Sequence, residues 1–170
     1  MAPVTLIPDQ TMQDMLVRLM QLPDISPEES QMPNLGIVIR RPIPPEKNIV
    51  VDWVRTHFSA YWANEAELAF SARPTHCFIA QKDQEILGFA CYECTARNFF
   101  GPTGVHPDHQ GKGIGKVLLV RSLMALREMG YAYAIIGGVG PADYYQRTVG
   151  ATIIEGSQTS IYQNLLKQPQ

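Results

Sequence analysis

The sequence predicts an α/β (α+β) fold on a mixed, mostly antiparallel sheet, and three observations point there. Residues 75–81, 85–94 and 99–105 are short runs rich in apolar residues. Polar turns at 82–84 and 95–98 join them, so they read as an antiparallel meander. A glycine-rich loop then leads into a helix over 113–129 that is apolar on most of its circumference (Ile114, Val117, Leu118, Leu119, Val120, Leu123, Met124, Leu126, Met129) and therefore buried. Residues 131–136 follow with no polar interruption, as expected of a strand covered on both faces. Strand, loop, helix and strand make a right-handed crossover between parallel neighbours.

Composition bounds the function. A chain of 170 residues suffices for one domain with its own core. Hydrophobic residues at 45% and charged ones at 18% describe a globular chain. The net charge of -2 and the lack of any basic run of five argue against nucleic acid as a partner. The apolar runs are too short for a membrane span, and the first residues show no secretory signal. Cys77, Cys91 and Cys94 form no disulfide framework, and a cytoplasmic location is expected. Cys91 and Cys94 have redox-pair spacing. On a strand they would face opposite sides, so they read as buried structural thiols.

The remaining elements follow in order. Asp9 caps an expected helix over 10–22, in which Met12, Met15, Leu16, Leu19 and Met20 fall at helical spacing. That helix either docks on the domain or binds a partner. Residues 23–34, rich in Pro, Ser and Glu, read as a loop. Residues 1–34 thus form a helical extension, part of the same unit as a domain over 35–166. Residues 35–41 read as the first strand, stopped by Pro42, Pro44 and Pro45. Two helices follow, the first carrying Ile49, Val50, Trp53, Val54 and Phe58, the second running over 59–72 up to Pro74. Beyond 136, Gly137, Gly138 and Gly140 read as a turn and Pro141 as a helix start. Gly150 ends that helix, and 151–155 and 159–164 read as closing strands.

The glycine loop carries the chemistry. Pro107 cannot donate to a ladder, so the strand ends near Val105 or His106. Gly111, Gly113 and Gly115 then let backbone N–H groups approach a ligand, and the helix start adds unpaired N–H groups and a dipole that favours anions. The product is an anion cradle suited to a pyrophosphate, with Lys112 and Lys116 adding positive charge. It is not the GxGxxG fingerprint, because Lys116 stands where the third glycine belongs, and no GxxxxGK[ST] is present.

Gln110, Gly113 and Gly115 match the Q/RxxGxG/A signature, and the chain resembles the GCN5-related N-acetyltransferase (GNAT) superfamily. The helix Tyr144, Tyr145, Gln146, Arg147, Thr148, Val149, Gly150 is similar to a second family segment. The resemblance implies helices on both faces of the sheet and a parallel strand pair splayed around the cofactor. It implies acetyl-CoA as cosubstrate, with no metal. The diphosphate would lie on Gln110, Gly111, Lys112, Gly113, Ile114, Gly115 and Lys116, and the pantetheine arm along Thr103, Gly104 and Val105. The Val105 N–H would stabilise the oxyanion. Tyr145 matches the acid that returns a proton to the thiolate, and it can equally be a core tyrosine. Only one of Tyr144 and Tyr145 faces the cleft, since neighbours on a helix point about 100° apart.

The family often places an acid on the strand before the loop, and 99–105 has none. Glu93 could substitute as base, or simply face solvent. Trp53, Tyr61 and Trp62 are core or line the acceptor cleft. The implied activity is direct acetyl transfer to a primary amine of a small molecule or peptide. The alternative is a CoA-binding protein without turnover, and the resemblance leaves room for a homodimer. A nucleotide module of other chemistry would instead prefer a nucleotide without pantetheine.

Overall fold

The computed structural model describes residues 12–167 and residue 169. Its centre is a seven-stranded sheet in the order β2-β3-β4-β5-β6-β1-β7. The strands are β1 (Gln13–Arg18), β2 (Ile37–Arg40), β3 (Cys77–Lys82), β4 (Glu85–Tyr92), β5 (Phe99–Val105), β6 (Tyr133–Val139) and β7 (Thr152–Ile153). All neighbours are antiparallel except β5 and β6. The meander and the parallel pair therefore stand where the sequence puts them.

Helices cover both faces and divide the core in two. On one side lie α4 (Ile114–Glu128), the short α1 (Ser26–Gln31) and α5 (Ala142–Val149). There Val117, Leu118, Leu123 and Leu126 of α4 meet Met15, Val17, Ala90 and Phe100. On the other side α2 (Lys47–His57) and α3 (Ala60–Ala69) close over Ile79, Phe89 and Cys91. Ser59 caps α3, its Oγ accepting from the Trp62 N–H at 3.1 Å. Ala63, Ala66 and Ala69 are fully buried on that helix, and such small residues let it lie close to the sheet. The glutamate after the prolines, Glu46, accepts from the Ile43 N–H at 2.8 Å and pairs with Arg40 at 2.5 Å, tying the start of α2 to β2. Among the described residues no helix is long and apolar enough to cross a membrane.

Four expectations are corrected. The helix expected over 10–22 is a strand from Gln13 and a single 3-10 turn at Leu19–Gln21; its expected cap, Asp9, lies outside the described residues. Met15, Val17 and Leu19 are buried while Arg18 and Met20 are exposed, so the working period is two. The apolar positions fit both periods, and partners far along the chain decided. Met15 pairs with Ile136 on one side and Ile153 on the other. The loop expected over 23–34 contains α1, begun by Pro27 and by Glu28 and Glu29 in its first turn. Gly137 and Gly138 belong to β6, where β1 runs alongside, rather than to a turn. Of the closing strands only Thr152–Ile153 forms, because β1 already occupies the place beside β6; residues 159–164 form turns.

Burial at β1 sets its mutational cost. Met15→Ala should destabilise the protein by about 2–5 kcal/mol, whereas Met20→Ala, at a position 69% exposed, should change it by less than about 0.5 kcal/mol. Urea unfolding of the two variants checks this. Equal costs would contradict the strand assignment.

Candidate active site

The site begins where β5 and β6 part. Their parallel ladder holds only at Phe99↔Ile135 and Phe100↔Ile136. Beyond it, Pro102 has no N–H to offer, and the two strands diverge around a cleft of about 600 Å³. That volume lies in the range of small-molecule sites. On its other edge β5 stays paired to β4 through Gly88↔Val105 and Phe89↔Gly104. The His106 N–H donates to Leu87 O at 2.8 Å, toward β4. Strand alternation therefore turns the Val105 N–H the other way, into the cleft. Gly104 is required by close approach, since a Cβ there would overlap the Phe58 ring.

The loop continues from this free edge into α4. Gly113 is the N-cap residue at φ 82°, a left-handed conformation that glycine adopts without strain. Gly111 has φ 80°. The first turn of α4 thus presents open N–H groups at the end of β5, with the dipole behind them. Thr103, Gly104, Val105 and Gln110 line the cleft, and Gln110 Nε2 donates to Val105 O at 3.3 Å. Ile114 is buried, so it can offer a ligand only its backbone. Lys112 is exposed, with its Nζ 3.3 Å from His109 Nδ1. Lys116 is committed to an ion pair with Glu28 of α1, and this pairing holds the Glu28 carboxyl below the usual range.

Of the two neighbouring tyrosines, Tyr145 lines the cleft. Its ring meets Phe100 edge-on at 6.4 Å. Burial pushes its hydroxyl far above the ordinary phenol range, so it stays protonated. Among the described residues that hydroxyl has no hydrogen-bond partner. Tyr144 lies over the loop instead, its hydroxyl 3.6 Å from where a Gly115 Cβ would stand.

Glu93 is not brought into the cleft, which corrects its assignment as base. β4 ends at Tyr92, and Glu93 turns the chain with φ 61°. Its Oε1 accepts from the Asn98 N–H and its Oε2 from the Tyr131 hydroxyl at 2.8 Å, so both oxygens hold the turn together. The same turn corrects the opposite-face reading of the cysteines. It folds Cys94 back beside Cys91, and Cys77, Cys91 and Cys94 are buried together under α2 and α3 as free thiols. Burial pushes the Cys91 thiol up. Among the described residues no group of His, Cys, Asp and Glu side chains is arranged to hold a metal.

Several cleft residues escaped the sequence reading: Phe58, Glu65, Thr95 and Tyr162. Glu65 left one signal, a carboxylate on the stripe of α3 that also carries Trp62 and Ala66. Tyr162 left none, since the chain after β7 packs by turns. Trp62 lines the cleft, Trp53 packs into the core beneath it, and the Tyr61 hydroxyl donates to Leu166 O at 2.9 Å.

Comparison with known proteins agrees with this fold. Residues 73–151 match the family model of an acetyltransferase (GNAT) domain. No curated protein matches the chain. Among solved structures it superposes on the GCN5-related glucosamine N-acetyltransferase region of a fungal multi-domain GH3 β-N-acetylglucosaminidase, with TM-score 0.68 and 16% identity over 84% of this chain and 20% of that one. A GCN5-related N-acetyltransferase from Sphaerobacter thermophilus gives TM-score 0.64 and 18% identity over 84% of this chain and 48% of that one. At such identities the likeness is one of fold, and the chain spans less than half the length of either structure. Residues 73–151 are thus similar to a GNAT acetyltransferase domain, and the mixed sheet has the fold of those acetyltransferase structures.

Proposed function

We propose that the protein is an acetyl-CoA-dependent N-acetyltransferase that passes the acetyl group directly to a primary amine. The observation that carries this reading is the free edge of β5 running straight into the glycine loop at the start of α4. An extended arm can add to such an edge as a strand would, while its diphosphate meets the loop N–H groups.

The residues then have defined parts. The backbone from Gln110 to Lys116 holds the diphosphate. Thr103, Gly104 and Val105 align the pantetheine arm, and the Val105 N–H stabilises the negative charge that develops on the thioester oxygen. The unprotonated amine forms the new C–N bond as the C–S bond breaks, Tyr145 gives its proton to the departing thiolate, and the proton shed by the amine nitrogen restores the Tyr145 hydroxyl. Holding both reactants in line supplies much of the rate. The lack of a carboxylate on β5 favours one other reading, a domain that binds CoA without turnover.

A thermal melt with acetyl-CoA, desulfo-CoA, NAD and ATP tests the proposal. At a hundred times its Kd a ligand adds about 2.7 kcal/mol, or about 5–10 °C for a chain of this size. The shift is expected with the two CoA compounds only, followed by acetylated product when an amine is added. A shift with NAD or ATP alone, or with none, overturns the reading. A CoA shift without product from any amine selects the binding-only alternative.

A further inference from the structure

At its far end the cleft is closed by α3, the turn after β4 and the chain beyond β7. Phe58, Trp62, Phe100 and Tyr162 supply rings to this end, with Phe58 and Trp62 centred 5.2 Å apart. One carboxylate stands among them. Glu65 projects from α3, half-buried, and its Oε1 accepts from the Thr95 hydroxyl. Burial raises its carboxyl above the ordinary range, and the Thr95 hydrogen bond opposes that rise only in part. Its Oε2 has no hydrogen-bond partner among the described residues. Tyr162 is pushed up to about 12 by burial and then by Glu65. The other acid near Tyr162, Asp14, is already engaged: its Oδ1 accepts from the Gly138 N–H at 2.8 Å.

The partner that this carboxylate lacks is a cation. No lysine or arginine lines the cleft among the described residues, and residues 1–11 and 168–170 contain none. A carboxylate moved into an aromatic wall without a counter-charge is costly. A cation that arrives with the substrate removes that cost, and aromatic faces attract the same cation. The wall also says what the substrate lacks. An amino acid would bring a carboxylate that meets no lysine or arginine; His57 and His106 line the cleft beside Val105, not beside Glu65 and Thr95. An amino sugar would bring several hydroxyls to a surface made largely of rings, leaving them unpaired.

We infer that this end of the cleft is the acceptor pocket, and that it takes an arylalkylamine, an ammonium on an aromatic body without a carboxylate, with Glu65 Oε2 as the ammonium's partner. This inference rests on the acetyltransferase reading above and names its acceptor class. Glu65 binds and orients the ammonium, which sheds one proton to water before its nitrogen attacks; Phe58, Trp62 and Tyr162 hold its ring, and Tyr145 lines the same cleft.

The test uses the full chain loaded with desulfo-CoA, which cannot react. Binding of 2-phenylethylamine, L-phenylalanine, glucosamine and spermidine is measured by calorimetry, and initial rates are then measured with acetyl-CoA. Phenylethylamine should bind, and its kcat/KM should exceed that of phenylalanine, which differs only by the carboxylate, by about 100-fold or more. Glu65→Gln keeps the shape and the Thr95 hydrogen bond. It should raise the KM for phenylethylamine by about 10- to 100-fold, with the KM for acetyl-CoA unchanged. Glu65→Asp, which keeps the charge, should recover part of the loss; it also serves if the Gln variant does not fold. Preference for phenylalanine, glucosamine or spermidine overturns the inference while leaving acetyl transfer intact. So does an amine KM that the Gln variant does not move. Phenylethylamine bound to the desulfo-CoA complex but never acetylated supports the pocket and overturns the transfer reading instead. Absence of any CoA-dependent melt shift overturns both.

Discussion

Gly115→Asp should leave the protein folded and sharply weaken its affinity for acetyl-CoA. Gly115 sits in the first turn of α4 without positive φ, and a Cβ there meets nothing nearer than 3.6 Å, the Tyr144 hydroxyl and a Val105 methyl. An aspartate at this position favours the helix, because its charge opposes the dipole's positive end. The melting temperature should therefore hold or rise slightly. The same carboxylate takes the N–H groups that a diphosphate needs and repels its charge. Loss of two hydrogen bonds to charged oxygens, at about 1.5–3 kcal/mol each, weakens binding by about 10²- to 10⁴-fold. Calorimetric titration with acetyl-CoA measures it. A Kd equal to that of the parent protein would show that the diphosphate does not lie on this loop.

Tyr145→Phe should separate chemistry from binding. The hydroxyl lines the cleft and has no hydrogen-bond partner among the described residues, so its removal strands no buried polar group and stability should be preserved. The Kd for acetyl-CoA should be unchanged. Turnover should fall by about 10²- to 10⁴-fold, the usual worth of a positioned acid. The pH profile adds a second reading. Burial raises the pKa of this phenol, so its neutral form persists across the alkaline range and the acid stays available there. Any alkaline fall in kcat therefore comes from another group and should survive in the Phe variant. A fall near the ordinary phenol pKa that disappears in that variant would mean that the hydroxyl meets water, against the burial described above.

What could be read in advance divides along the range of the interactions involved. The glycine loop was legible because its cause is local. Pro107 stops a strand, Gly111 and Gly113 take left-handed angles, and the apolar helix follows at once. The meander was legible for the same reason, each turn lying between the strands it joins. β1 was not, because Met15, Leu16 and Leu19 satisfy a helical stripe as well as an alternation. The strands that decide between them, β6 and β7, lie at the other end of the chain. The site divides the same way. Val105, Gln110 and Tyr145, which motif spacing singles out, line one cleft. Glu93 failed because a single residue of positive φ turns it out of the strand and onto Asn98 and Tyr131. Glu65 and Tyr162 become neighbours only when α3 and the last turns meet across the cleft, and spacing along the chain contains no trace of that meeting.

The placing of β1 between β6 and β7 also sets an order of events during synthesis. Met15 has no ladder partner until Ile136 has been made. At the usual elongation rate this strand waits for roughly ten seconds. In that interval β2, β3, β4 and β5 can already pair among themselves, while an alternating apolar segment remains open to other chains. When β6 appears, it presents an edge that its own β1 must reach before a neighbour's does. Closure within one chain is favoured by the connection between them and is independent of concentration. Exchange between two copies is not, so crowded refolding works toward swapped pairs. The strand that completes the sheet is thus made before both of its neighbours and is among the last to be secured.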